Sequence, residues 1–173
     1  EIVCDMYSNK ISDPMQTIVL RPGNLYGPHD KFDWEKSKVI PALIRRAIEK
    51  HDPFQIWGDG KDLKDFLYIE DYIDAMLIAI EKLDDNQPLN IASGKPITIK
   101  EVLREILISA NYKDAPLVYD TSKPTMIPKR MIDISKAKEK LDWSPKVSIK
   151  EGIEKTVDWY KKTYKNKSPE DLL

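Results

Sequence analysis

Cysteine is almost missing from this sequence. Cys4 stands alone in 173 residues, so no intrachain disulfide and no cysteine-based zinc site can form, which fits a reducing compartment. Cys4 itself reads as a small, buried apolar side chain. Histidine is nearly as scarce: His29 and His51 have no partner at metal-binding spacing, so no metal is expected in the mechanism. No apolar run approaches the roughly 18 residues of a membrane span, and the opening EIVCDMYSNK lacks the charged-then-apolar pattern of a signal peptide. The expectation is a soluble, cytoplasmic protein with no membrane partner. Neither sign of charge is in excess, with 28 Lys and Arg against 29 Asp and Glu, which argues against nucleic acid as the main partner. There are only 6 glycines, and none makes a glycine-rich turn between a strand and a helix. A dinucleotide fingerprint and a Walker loop are therefore both absent from the sequence, and so is a G-x-S-x-G nucleophile elbow.

What is present is enough apolar residue, 41%, for one core, and a chain of this size can bury roughly 70% of its unfolded surface. Periodicity predicts short strands alternating with helices, hence an α/β fold. Glu1 to about Asn9 reads as the end of a helix, stopped by Asp13-Pro14. The chain opens inside this helical pattern without a methionine, which suggests a piece of a longer protein. Thr17 to Leu20 reads as a buried strand that ends in a loop from Arg21 to Lys36. Lys38 to Lys50 is an amphipathic helix with Pro41 in its first turn. Phe54 to Trp57 and Asp65 to Ile69 read as strands around the turn Gly58-Asp59-Gly60. The helix Asp71 to Leu83 is expected to turn Ile73, Met76, Leu77 and Ile80 inward. Leu89 to Ala92 is a third strand, expected beside Thr17 to Leu20 and parallel to it. Thr98 with Glu101, and Ser148 with Glu151, carry the capping-box signature of helices that end near Ala110 and Tyr164. Leu117 to Tyr119 and Arg130 to Ile132 read as short extended pieces around the proline-containing segment Lys123 to Lys129. The tail from Asn166 to Leu173 is expected to fray.

The chemistry-bearing strings are R-P-G-N-L-Y-G-P-H-D-K-F-D, K-V-I-P-A-L-I-R-R, I-W-G-D-G, K-D-F-L-Y-I-E-D and L-N-I-A-S-G, in that order. Together they resemble the second half of extended short-chain dehydrogenases/reductases that act on nucleotide-diphosphate sugars, the GDP-L-fucose synthases above all. The later strings D-T-S-K-P, K-R-M-I-D-I-S-K-A-K-E-K-L-D-W and G-I-E-K-T-V-D-W-Y extend the resemblance over nearly the whole chain. It implies that residues 1–173 are the late part of a Rossmann-like NAD(P)-binding fold plus the small substrate-binding lobe, without the N-terminal cofactor-binding half. It further implies an enzyme that uses NADP or NAD on a nucleotide-diphosphate sugar and is a homodimer at full length.

The resemblance also assigns residues. Pro22, Gly23, Asn24 and Leu25 occupy the loop that contacts the nicotinamide end of the cofactor, where open α/β sheets bind ligands. Arg46 falls where the diphosphate is bound, Trp57 where the nucleoside packs, and Lys64 where a phosphate-binding arginine is usual. Lys129 and Arg130 lie where the small lobe adds a basic contact. Lys38 stands where fucose synthases carry a histidine acid, and lysine has an unperturbed pKa of about 10.4 against about 6.5. The family's Tyr-x-x-x-Lys is not in the sequence, since Tyr7 is followed by lysine at the third position, Lys10. Two further readings stay open: a different nucleotide-sugar epimerase, reductase or dehydratase, and a binding module without chemistry.

Overall fold

A computed structural model describes residues 1–123 and 127–164. The expectations for part of the Lys123 to Lys129 segment and for the tail after Tyr164 lie outside the described residues.

Helix α1 (Ile2–Asn9) is followed by the strands β1 (Leu20–Pro22) and β2 (Asn24–Tyr26), then by α2 (Val39–Ile48). Next come β3 (Phe54–Trp57), β4 (Leu63–Lys64), β5 (Phe66–Tyr68) and α3 (Ile69–Lys82). The chain continues through β6 (Leu89–Ile91), β7 (Ile97–Thr98), α4 (Ile99–Ser109), β8 (Leu117–Asp120), α5 (Ser135–Leu141) and α6 (Ile149–Tyr164). β1 pairs with β6, β2 with β5 and β3 with β8, all parallel, while β4 and β7 are antiparallel. The α/β expectation holds, as does the parallel pairing of the first strand with Leu89 to Ile91. That first strand begins later than the apolar run suggests: its ladder is Leu20 to Pro22, although the Val19 carbonyl already accepts from the Leu89 N–H. The predicted loop from Arg21 also contains a strand, β2. The expected extended piece at Arg130 to Ile132 is reduced to a single bridge between Lys129 and Leu63.

Two cores follow from the helix faces. On one side α2, α4 and α6 bury Ile40, Leu43, Ile44, Val102, Leu103, Ile106, Ile153 and Val157 against Phe54 and Ile56 of β3. Each such side chain contributes about 1.5–3 kcal/mol of burial. Pro41 sits in the first turn of α2, where no intrahelical donor is lost. The Thr98–Glu101 capping box of α4 forms in full. At α6 the Ser148 hydroxyl accepts from the Glu151 N–H at 3.2 Å, the forward half of the same device.

The second core joins α3 and α5 to β1 and β6 through Leu67, Ala75, Ala79, Leu89, Ile91, Ala137, Leu141 and Trp143. Here the expected face of α3 is wrong: Ile73, Met76, Leu77 and Ile80 are 41–65% exposed, and the buried residues are Asp71, Ala75 and Ala79. The reason is a contact distant in sequence. The Asp71 carboxylate accepts from the N–H groups of Lys146 and Val147, both at 3.0 Å, and pins that face inward, where two alanines allow close packing. Cys4 departs too, since α1 buries no residue and Cys4 is only half-buried. No helix among the described residues is long and apolar enough to cross a membrane.

Candidate functional site

The site is organised by the carboxyl ends of β1 and β6. Pro22 ends β1 opposite Ile91, and the Gly23 N–H donates to the Ile91 carbonyl at 2.8 Å. A Cβ on Gly23 would meet the Cβ of Ala92 at 3.0 Å and the Ile132 side chain at 3.4 Å, so only glycine lets the chain pass here without displacement. Asn24 then opens β2, and its side-chain Nδ2 donates to the Asp65 carbonyl at 2.7 Å. This fixes the amide orientation, and among the described residues no hydrogen bond reaches Oδ1. Leu25 turns toward the second core.

Asp65 was not singled out in the sequence, yet it holds this corner together. Fully buried, its carboxylate accepts from the Ser93 N–H at 2.8 Å, the Ser93 hydroxyl at 2.7 Å and the Gly94 N–H at 2.9 Å. Its backbone carbonyl holds Asn24. One residue therefore ties β2 to the turn after β6. The only sequence signal was an aspartate inside an otherwise apolar strand, next to Phe66.

Lys64 precedes Asp65 and is drawn into the same region, with Nζ 3.1 Å from Asp62 and donating to the Ile127 carbonyl. It is a paired, largely covered lysine rather than a free cation. The next segment lies beside it: the Leu63 N–H donates to Pro128, the Arg130 N–H donates to Leu63, and Lys129 bridges Leu63. Lys129 and Arg130 are exposed, and neither has an ion pair among the described residues. Through Ile132 this segment also reaches Gly23. Trp57, 55% exposed, ends β3 on the face away from the core, with Lys123 Nζ 5.8 Å from its ring centre. Lys123 thus sits at the indole, while residues 127–132 bring Lys129 and Arg130 to Leu63 and reach the Gly23–Asn24 turn.

Arg46 lies in α2, and Lys38 is the residue before its first turn. The Arg45-Arg46 pair is split by the fold. Arg45 is 2% exposed, donates to the Phe32 carbonyl at 2.8 Å, pairs with Glu49 and lies 4.2 Å from the centre of the Trp34 ring. Arg46 is half-buried with no carboxylate partner among the described residues, and burial lowers its guanidinium pKa below the ordinary value. Lys38 is the exposed N-cap of α2, and its side chain makes no capping bond. Among the described residues no cluster of three His, Cys, Asp or Glu could hold a metal ion.

The chain is similar in sequence and fold to known proteins. The model of the NAD dependent epimerase/dehydratase family matches residues 3–92. A probable GDP-L-fucose synthase 1 from Oryza sativa subsp. japonica is 38% identical over 162 residues, covering 91% of this chain and 48% of that protein. The GDP-L-fucose synthase of Escherichia coli is 31% identical over 171 residues, covering 91% and 52%. Among solved structures, a UDP-N-acetylglucosamine 4-epimerase from Methanobrevibacter ruminantium, in complex with UDP-N-acetylmuramic acid, superposes with a TM-score of 0.84 at 26% identity, covering 94% of this chain and 51% of that one. A GDP-L-fucose synthetase from Naegleria fowleri bound to NADP gives 0.78 at 26% identity, covering 84% and 46%. The chain spans about half the length of the curated relatives it matches. With more than half of its residues matched by the family model, the chain belongs to the NAD dependent epimerase/dehydratase family.

Proposed function

We propose that this chain carries the nicotinamide-side loop and the sugar-nucleotide lobe of an NADP- or NAD-dependent enzyme that epimerises and reduces a nucleotide-linked 4-keto-6-deoxy sugar, most like a GDP-L-fucose synthase. The observation that carries this reading is the convergence of the Gly23–Asn24 turn with Lys64, Lys129 and Arg130 through hydrogen bonds to Leu63 and Asp65. A narrow glycine passage with a free amide oxygen suits a flat polar ring at the strand ends. Exposed Lys129 and Arg130 suit a diphosphate, and the exposed Trp57 indole, with Lys123 near its ring, suits a base.

The residues present fit the nicotinamide end of the cofactor, which would be held by Pro22, Gly23, Asn24 and Leu25. When bound there, the cofactor supplies the hydride for carbonyl reduction. Asn24 orients a ligand group through Oδ1 and the second Nδ2–H, because the Asp65 carbonyl takes one amide proton and fixes the plane. Arg46, Lys129 and Arg130 neutralise the diphosphate, Trp57 stacks on the nucleoside, and Lys64 acts by positioning Asp62 and the 127–130 segment. Lys38, at the start of α2, is the proton carrier in this reading. The exposed Ile2, Val3, Met6 and Tyr7 of α1 support a homodimer at full length, and a cytoplasmic enzyme fits the lone cysteine.

A second reading is favoured by Lys38 itself. The fucose synthases have a histidine at this position, so a 4-epimerase or reductase for another nucleotide sugar accommodates the lysine better. Titrating the protein with GDP-, UDP- and CDP-linked sugars by calorimetry tests both. Preference for a GDP-sugar supports the first reading, preference for another base the second, and no saturable binding of any of them contradicts both.

A further inference from the structure

The β3–β8 ribbon has a free edge. The Phe54 N–H donates to the Pro116 carbonyl and the Gly58 N–H to the Asp120 carbonyl, both at 2.9 Å. In an evenly spaced parallel ladder this directs the backbone groups of Pro116, Val118 and Asp120 toward β3 and those of Leu117 and Tyr119 away from it. Among the described residues no strand pairs with that outer edge.

Beside the edge runs a cleft of about 550 Å³ whose other wall is α4. Leu103, Leu107 and Leu117 give it an apolar lining, and Lys100, Arg104 and Lys113 surround it with positive charge. None of the three cations has an ion pair among the described residues. The one carboxylate in the lining, Glu101, is already held in the capping box with Thr98. Register separates this cleft from Trp57. Leu117 and Tyr119 stand opposite the buried Phe54 and Ile56, whereas Trp57 and Gln55 alternate to the other face.

We propose that the cleft between α4 and the free edge of β8 binds an extended acidic segment of a partner protein by strand addition. Leu117 and Tyr119 supply two donors and two acceptors for main-chain hydrogen bonds, the recognition mode of an exposed sheet edge. Side chains of the added strand that face α4 meet Leu103 and Leu107 together with Lys100 and Arg104 of the same helix. The step from Lys100 to Ile108 rises about 12 Å along α4, which matches the length of about four extended residues. A second copy of this chain is a poorer occupant, because a two-fold contact at this edge would bring the same cations face to face. A small anion would satisfy the cations and leave the strand edge unused.

The test is fluorescence anisotropy with a fluorescein-labelled octapeptide of alternating aspartate and valine, titrated with the whole chain. Saturable binding is expected. It should weaken at least about tenfold for Arg104→Glu, the scale of a lost hydrogen bond to a charged group. A peptide N-methylated at alternate residues should lose as much, since it keeps its charges but cannot extend the sheet. Trp57→Ala should leave binding unchanged, which separates this surface from the proposed sugar-nucleotide site. Equal binding of the N-methylated peptide, or its displacement by low-millimolar inorganic phosphate, would overturn strand addition in favour of simple anion binding. No saturable binding by a chain with native circular dichroism would overturn the proposal altogether.

Discussion

The buried carboxylate of Asp65 holds Ser93 twice, accepting from its backbone N–H at 2.8 Å and from its hydroxyl at 2.7 Å. With the Gly94 N–H as third donor, the turn after β6 is fixed to the residue whose carbonyl positions Asn24. Removing the carboxylate would leave buried donors unsatisfied, each costing about 1–3 kcal/mol. Asp65→Ala should therefore lower the unfolding free energy by about 2–4 kcal/mol. Asp65→Asn, which keeps one acceptor oxygen, should lose less. Urea unfolding of both variants checks this, and equal midpoints for Ala and wild type would show that the clamp is dispensable.

Gly152 presents a second constraint. A Cβ there would lie 2.2 Å from the Tyr26 hydroxyl oxygen and 3.0 Å from the Tyr68 ring, with all three residues buried. Gly152→Ala should destabilise by about 1–3 kcal/mol through overpacking, despite alanine's better helix propensity. Adding Tyr26→Phe, which removes the nearest atom, should recover part of the loss. A thermal melt of the pair that shows no recovery would place the strain elsewhere.

Much of the fold was legible in the sequence, and the failures have physical causes. Phe54 to Trp57, the first-turn Pro41 and the Thr98–Glu101 capping box are local signals, and each sits where its pattern put it. The face of α3 was misread because apolar residues line both sides of that helix, and the deciding contact, Asp71 to Lys146 and Val147, spans some 75 residues. Strand β2 was hidden by its glycine, proline and asparagine neighbours. Of the proposed site residues, Arg46 was picked out from Arg45 by the resemblance and not by any local pattern. Tertiary packing buries Arg45 and leaves Arg46 half-buried, 5.6 Å from the Trp34 ring centre and without an ion pair among the described residues. Asp65 went unnoticed because its three partners lie 28 and 29 residues away.

The outward side of α3 carries a consequence for solution behaviour. Leu77 and Ile80 are 57% and 65% exposed on a helix whose other side is packed, an apolar surface that favours association. Residues 1–173 should self-associate with rising concentration, and the double change Leu77→Lys and Ile80→Lys should reduce that association. Sedimentation velocity over a concentration series checks it. A wild-type chain that stays monomeric at high concentration would contradict it.

Stability should fall in acid. Hydrogen bonds from Thr98 hold the Glu101 carboxyl below its ordinary value of 4.5, and the Lys140 ammonium does the same for Asp85, whose ordinary value is 3.8. Because these folded-state values are depressed, their contribution is complete above the unfolded pKa and is lost as the pH falls through the folded one. Urea midpoints should be level near neutrality and decline below about pH 4.5, where unfolded carboxylates begin to take up protons. Glu101→Gln should make that decline shallower. An unchanged slope would mean that the capping carboxylate has no net role.

On the proposed function, Arg46→Ala should weaken sugar-nucleotide binding by about 1.5–3 kcal/mol, the scale of a hydrogen bond to a charged group. Nicotinamide cofactor affinity should be unchanged. Calorimetry on both ligands separates a binding role from a structural one, since equal losses for both would make Arg46 part of the scaffold.

The central claim is that Trp57, Lys129, Arg130 and the Gly23–Asn24 turn form one sugar-nucleotide site. The most direct measurement is a two-dimensional proton–nitrogen NMR titration of the chain with a GDP-linked sugar. Trp57 has an exposed indole, whereas the Trp143 indole is buried in the second core. A single site requires saturable shifts of the Trp57 indole N–H and of the Gly23, Asn24, Lys129 and Arg130 amides, with Trp143 unmoved. Shifts confined to α4 and β8, or saturable binding that leaves Trp57 and Gly23 in place, would contradict it.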